Sequence, residues 1–377
     1  MYYYLSNITN NPESIRERRA QTSVPGSMRT LFIAKSLGER VTIVSMGAGE
    51  QRGIFPRREE DVSPMIRIIY LPEVHLMLFG KKLRHIFYSF LLFGFLVRRV
   101  KKNDRLILYN EGRSFFVIVP VLVARLFIGF QYILETEELY SYKRGSTALG
   151  FSESTAIKNA AAYIAVSEPQ MEFFPGGKPV LLGAGYSSRL EVAPPAAPPE
   201  SVPPIIVYSG RLDDRGGADF LLEALRFISK PCKVVITGFG SSEAAIRDFE
   251  NHNSNIEFLF AGFLEKGEYF ALLERSKIGM NPIRNSIAFS DVSFPSKIMQ
   301  YLEYGNIVVS SDIPAIHHLG SLRRYILTYT VDSAQAMAGV VDKALDLNIP
   351  RAEIAAETRR HFELESARYH DFFKNLV

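Results

Sequence analysis

From Ile205 to Asp312 the chain repeats one pattern: a short, almost wholly apolar run, a turn, then a helical stretch. IIVYSG, KVVITGFG, IEFLFAG, IGMNPI and IVVSSD are the apolar runs; FLLEALRFI, EAAIRDFEN, EYFALLERS and FPSKIMQYLEYG lie between them. Runs that are apolar throughout, not at alternate positions, describe strands covered on both faces, and strands separated by helices pair in parallel. The first half repeats the pattern less cleanly. YYYLSN, VTIVSMG, IRIIYLP, RLILYN, QYILET and YIAVSE read as strands, and MRTLFIAKSLG as the first crossover helix. The fold class expected is α/β, with two Rossmann-like doubly wound domains facing each other across a cleft. In such sheets ligands bind beyond the carboxyl ends of the strands.

The boundary between the halves is PPAAPPESVPP, Pro194 to Pro204. Proline at this density fits neither a helix interior nor a central strand, so it reads as a stiff linker. A chain of 377 residues is too long for one ordinary core. The expected division is a first domain over 1–190, a linker over 191–204 and a second domain over 205–361, with a last helix at 362–377 packing back on the first domain.

Composition narrows the chemistry. Apolar residues at 47% and charged residues at 22% belong to a folded globular chain. The single cysteine, Cys232, rules out an internal disulfide and suits a reducing cytoplasm. The seven histidines show no metal-binding spacing, and His317 and His318 are adjacent, so no metal is expected. A net charge of +4 is too weak to argue for nucleic acid. MYYYLSN reads as a first strand and not as a cleavable signal. The apolar run IFYSFLLFGFLV, Ile86 to Val97, is shorter than the roughly 20 residues that cross a bilayer. It lies between KKLRH and RRVKK. It reads either as a buried helix with a solvated basic end or as a helix lying on anionic lipid headgroups.

The motifs cluster after the second-half strands. SGRLDDRGG offers Arg211 and Arg215 in a glycine-rich turn, where forked guanidinium donors can meet phosphate oxygens. A turn with two solvated arginines is the plainer alternative. TGFG and AGFLEKGE follow the next two strands. FPSK then opens a helix, with Pro295 suited to a first turn and free N–H groups able to hold an anion. Together these describe a nucleoside diphosphate site. No G-x-x-x-x-G-K-[ST] is present, which argues against P-loop hydrolysis, and no G-x-G-x-x-G follows a first strand, which argues against NAD.

In order and spacing these pieces resemble the nucleotide-sugar domain of GT-B glycosyltransferases of the retaining family 4. The resemblance runs through YSGRLDDRGGADFLLEAL, ITGFG, IEFLFAGFLEKGEYFALLERSKIGMNPI and FPSKIMQYLEYGNIVVSSD, and covers Pro204 to about Gly320. It extends more loosely over VPGSMRTLFIAKSLGERVTIVS and YIAVSE in the first half. What it implies is a donor site at Gly210, Gly238, Gly240, Phe263, Leu264, Pro295, Ser296, Lys297 and Gln300, with Arg211 on the donor phosphates. The family's lysine falls on Gly216, so its neighbour Arg215 is taken as the replacement. The glutamate that grips the ribose falls on Gln300. The glutamate near the donor sugar falls on Val292, beside Asp291. In the first half, Gly26 and Ser27, opening the helix MRTLFIAKSLG, match the family's phosphate loop.

Between Ser6 and Gly26 lies a long segment bearing Arg16, Arg18 and Arg19. It reads as a lid or anionic acceptor site, or as a solvated charged loop. LYNEGRSFF places Asn110 and Glu111 at a strand end, and ILETEELYS does so for Glu137 and Glu138. These groups are expected to bind acceptor first and to serve in catalysis second, with Glu138 the candidate acid or base. The resemblance implies transfer of a sugar from a nucleoside diphosphate sugar to a hydroxyl, with retention and without metal or cofactor. The expected setting is cytoplasmic polysaccharide or glycolipid assembly, with a glycan or lipid-linked acceptor. Departures at Val292 and Gln300 keep open a non-catalytic GT-B-like binding subunit.

Overall fold

The structure is a computed structural model that describes residues 1–8, 24–45, 53–75, 81–110, 114–137, 139, 147–183, 185–187, 202–213, 216–284 and 294–376. It divides into two compact units, Met1–Gly183 with Leu364–Val377, and Ala184–Glu363.

The first unit contains β1 (Tyr2–Leu5), α1 (Val24–Ser36), β2 (Val41–Ser45), β3 (Gly53–Phe55), β4 (Arg58–Ser63), β5 (Ile66–Tyr70), β6 (Glu73–His75), α2 (Lys81–Arg99), β7 (Arg105–Asn110), α3 (Ser114–Ile128), β8 (Gln131–Thr136), α4 (Thr147–Asn159), β9 (Ala162–Ala165), α5 (Glu168–Met171) and β10 (Val180–Leu182). Eight strands form one sheet in the order β10-β9-β8-β7-β1-β2-β5-β4. All its pairs are parallel except β4 on β5. The apolar runs are buried on both faces, as at Tyr4, Ile43, Ile68 and Ile107. The antiparallel strand REEDVS is the edge and carries charge outward, which blunts it against further pairing. A short ribbon, β3 with β6, lies outside this sheet.

Helix α3 was not legible in the sequence because Pro120 lies inside it. Proline cannot donate to the carbonyl four residues back. Here that carbonyl, on Phe116, instead accepts from the Ser89 hydroxyl of α2 at 2.8 Å. One side chain satisfies the orphan acceptor and ties two helices together.

The second unit contains β11 (Ile205–Arg211), α6 (Ala218–Leu225), β12 (Cys232–Phe239), α7 (Glu243–Arg247), β13 (Ile256–Gly262), α8 (Lys266–Arg275), β14 (Ser276–Asn281), α9 (Lys297–Glu303), β15 (Ile307–Ser311), β16 (Ile326–Tyr329) and α10 (Ala334–Asp346). Its six strands are all parallel, in the order β13-β12-β11-β14-β15-β16. Strand order reverses beside β11, as it does beside β1 in the first unit, and such a reversal is where an open α/β sheet leaves room for a ligand.

The last helix, α11 (Arg351–Asn375), begins in the second unit and ends in the first. Its final turns pack on α1 and on the first sheet. Tyr369 meets Phe32 edge-on at 6.1 Å, Phe373 meets Tyr2 at 5.7 Å, and the Phe373 carbonyl accepts from Arg105 at 3.0 Å.

Candidate donor site

At the carboxyl end of β11 the chain runs Tyr208, Ser209, Gly210, Arg211. The Tyr208 hydroxyl lies 2.8 Å from the Arg211 carbonyl and 3.0 Å from that of Gly216, so it staples the turn shut from below. Asp213 holds the turn from above: one carboxylate oxygen accepts from the Gly216 N–H at 3.1 Å, the other from Arg211 Nε at 3.1 Å. The Arg211 side chain is exposed, with the rest of its guanidinium fork turned to solvent.

The neighbouring strand ends approach closely. Gly238 has φ of +141°, and a Cβ there would lie 1.9 Å from the Gly210 carbonyl oxygen. At Gly240 it would lie 2.3 Å from the Leu212 carbonyl oxygen. Only glycine fits where main chains must crowd like this. Beyond them Phe239 and Phe263 sit with ring centroids 6.0 Å apart, both largely exposed, and Leu264 is half-buried.

Ser209 is the hub beneath this edge. Its N–H donates to the Tyr301 hydroxyl at 3.0 Å, and its Oγ lies 3.2 Å from that hydroxyl and 3.1 Å from the Tyr269 hydroxyl. Lys297 Nζ donates to the same Oγ at 3.1 Å. Tyr269 in turn donates to the Gln300 side-chain oxygen at 3.0 Å. Burial lowers the Lys297 ammonium from its ordinary value near 10.5 to about 7. Burial raises the phenols, Tyr301 to about 12 and Tyr269 further. The cluster is therefore one desolvated cation in a nest of neutral hydroxyls beside the glycine-lined edge. A polyanion placed there would restore the lysine's charge.

Two expected helix starts are corrected here. The FPSK helix does not begin at Pro295: α9 starts at Lys297 and is only seven residues long. The Pro295 carbonyl takes the Ile298 N–H at 3.0 Å, so Pro295 and Ser296 form a turn ahead of the helix. The cation that faces the strand edge is the Lys297 side chain. Gln300 is buried and its amide oxygen is already engaged by Tyr269. Gly26 and Ser27 lie within the first turns of α1, which opens at Val24, and both are buried.

In the first unit, Asn110 ends β7 and donates from Nδ2 to Glu153 of α4 at 2.5 Å. Glu137 follows β8 and accepts from the Tyr109 hydroxyl. Beneath them Arg29 pairs with Glu135 at 2.5 Å, with both side chains fully buried, and Glu135 also accepts from Tyr4. Arg16, Glu111, Glu138, Arg215 and Asp291 lie outside the described residues. Ser209, Tyr269 and Tyr301 were missed in the sequence. Ser209 alone carried a signal, as the residue before the Gly-Arg pair at a strand end.

The fold is the GT-B fold, two Rossmann-like domains in one chain. A sucrose-phosphate synthase from Thermosynechococcus elongatus superposes with a TM-score of 0.66 at 14% identity, over 100% of this chain and 98% of its own. The apo lipopolysaccharide outer core galactosyltransferase WaaB gives 0.60 at 13%, over 100% and 98%. Anabaena HepE in complex with UDP gives 0.62 at 12%, over 99% and 98%. Residues 203–346, which make up most of the second unit, match the family model described as Glycosyl transferases group 1. A comparison of the sequence with curated proteins finds no match.

Proposed function

We propose that the protein transfers a sugar from a nucleoside diphosphate sugar to a hydroxyl acceptor with retention of configuration. The observation that carries the reading is the half-buried Lys297, its ammonium on Ser209, at a glycine-lined strand edge with the exposed Arg211 nearby. In the reaction the bond from C1 to the diphosphate oxygen breaks, and C1 bonds to the acceptor oxygen on the same face. The acceptor's proton passes to the departing diphosphate, leaving nucleoside diphosphate and glycoside. Lys297 and Arg211 lower the barrier by stabilising charge as it gathers on the leaving diphosphate, without a metal ion. Arg215 is assigned the same role, and Asp291 and Glu138 the contacts to the reacting sugars.

Exposed Phe239 and Phe263, their rings tilted to one another, each offer an apolar face to the base. The UDP named with HepE makes uracil the first base to test. Asn110 and Glu137 are assigned to the acceptor, taken as a growing cell-surface glycan or glycolipid in the cytoplasm.

Incubation with a panel of nucleoside diphosphate sugars, following release of nucleoside diphosphate, tests the reading. Turnover of at least one sugar nucleotide is expected, with transfer to water in the absence of acceptor. Tight donor binding with no turnover under any condition would instead favour a non-catalytic binding subunit, the reading motivated by Gln300 in place of a glutamate.

A further inference from the structure

Helices α2 and α3 carry more apolar surface than the sheet beneath them covers. The core side of α2 is Tyr88, Leu92, Phe95 and Leu96, all buried. On its outer side Leu83, Ile86, Phe87 and Phe90 recur at helical spacing and stay exposed, Phe90 at 71%. Helix α3 repeats this with Val119, Val123 and Leu126, the last 82% exposed. The two helices are held side by side. His85 stacks on Phe116 at 5.1 Å, Ser89 bonds the Phe116 carbonyl, and Phe93 meets Phe127 edge-on at 6.5 Å. With side chains stepping around each axis at 3.6 residues per turn, both exposed stripes flank that seam and form one outward band.

The charge on this band has one sign. Neither helix contains an aspartate or a glutamate. Arg84, Arg98 and Arg99 lie on α2, with exposed Lys101 and Lys102 just beyond it. The nearby Asp104 is engaged, accepting from the Lys101 N–H at 2.9 Å and facing the chain's amino terminus at 3.6 Å.

We propose that this two-helix face docks on an anionic lipid surface, its apolar side chains entering the headgroup layer while the arginines and lysines meet lipid phosphates. An apolar band needs a partner that takes it out of water, and the cationic border selects a negatively charged one. A second copy of the same face would oppose like charges. A nucleic acid would leave the phenylalanines and leucines wet. No helix among the described residues is long and apolar enough to cross a membrane, so the face lies on the surface. The proposal concerns the first unit and does not depend on the donor chemistry of the second.

The test uses the full chain with phosphatidylcholine vesicles, with and without phosphatidylglycerol. Co-sedimentation is expected only with the anionic vesicles, and release in high salt. Phe90→Glu with Leu126→Glu should lower the bound fraction roughly tenfold, because bound strength follows buried apolar area. Arg98, Arg99, Lys101 and Lys102 changed together to Gln should do the same through charge. Equal binding to both vesicles, no binding at low salt, or variants that bind like the wild type would overturn the proposal. So would a wild-type dimer in solution that Phe90→Glu converts to monomer, which would give the face to a second copy.

The chain has no tryptophan, so a single introduced indole is a clean reporter. Phe90→Trp and Leu126→Trp should each shift to the blue with anionic vesicles and be quenched by brominated lipid. Phe227→Trp, exposed in the second unit, should not respond. An unresponsive indole at both helical positions would overturn the proposal even if the protein sediments.

Discussion

The ammonium of Lys297 lies 3.1 Å from the hydroxyl oxygen of Ser209, and that oxygen is within hydrogen-bond distance of two phenols and, among the described residues, of no carboxylate. A cation so placed is partly withdrawn from water, with no counter-charge among the described residues. Its lowered pKa, to about 7, is the consequence of that burial.

Stability should therefore rise with pH through this group. Below about pH 7 the amine is charged in folded and unfolded chains alike, and the cost of burying it is fully present. Between there and about 10.5 the unfolded chain holds a proton that the folded one has shed, so unfolding becomes harder as pH rises. The cost is on the order of 1.4 kcal/mol for each pH unit between the two values. Lys297→Met should then melt above the wild type at acidic to neutral pH, with the gap closing toward alkaline pH. A gap that is constant across the range would show that Lys297 is not the titrating group.

A diphosphate beside Lys297 should recharge it. Above about pH 7, nucleoside diphosphate binding to the wild type should take up protons. Calorimetry in two buffers of different ionisation enthalpy measures the uptake directly, and Lys297→Met should show none. Identical heats in both buffers for the wild type would place the diphosphate elsewhere.

Arg211→Ala should weaken nucleoside diphosphate binding by about 1.5–3 kcal/mol, the range for a charge-assisted hydrogen bond. The side chain is exposed and, among the described residues, anchored at Nε by Asp213, so the fold should be unaffected. The bare nucleoside should bind as before, and Arg215→Ala should behave in the same way. Equal losses for nucleoside and diphosphate would remove both arginines from the phosphates.

Gln300→Leu removes one of two side-chain partners of the half-buried Tyr269 hydroxyl, Ser209 Oγ being the other, and should cost about 0.5–1.5 kcal/mol in urea unfolding. Tyr269→Phe in that background should recover most of the loss, while Gln300→Glu, still an acceptor, should be tolerated. If the two single changes add without coupling, the bond contributes nothing. Comparing binding of a ribonucleotide with its 2′,3′-dideoxy analogue separates this structural role from a ribose contact.

In the first unit, Glu135→Leu should cost about 3–5 kcal/mol, because it leaves the fully buried Arg29 without its carboxylate. Arg29→Met together with Glu135→Leu should be much milder, since no bare charge remains. Denaturant midpoints of the three proteins decide it.

The eleven strands named from the sequence were legible because each is apolar at nearly every position, from Tyr2–Leu5 through Ile307–Ser311. What was not legible depends on partners distant in sequence. The helix at 114–128 was not named from the sequence; it holds Pro120, and the side chain that compensates for it, Ser89, belongs to another element. The start of α9 was misplaced because the fate of the Ile298 N–H is a matter of turn geometry, not of residue type. The glycine-bearing strand ends were visible as a row of motifs. The hydroxyl nest was not, because Ser209, Tyr269, Lys297 and Gln300 come from three elements and none is unusual alone. The edge strand REEDVS was passed over because it is charged along its length, and only its pairing with Ile66–Tyr70 makes it a strand.

The boundary between the two units falls inside a helix, at Glu363–Leu364 of α11. The chain thus leaves the first unit at Gly183 and returns to it at the very end. A protease that cut once in the proline-rich stretch would not free two independent pieces. The carboxyl-terminal fragment would still carry the segment that the amino-terminal fragment needs to complete its core, with Tyr369 and Phe373 seated against Phe32 and Tyr2. The nicked protein should run as one species under native conditions and as two in denaturant. Deleting the last fourteen or so residues would damage the unit that was synthesised first.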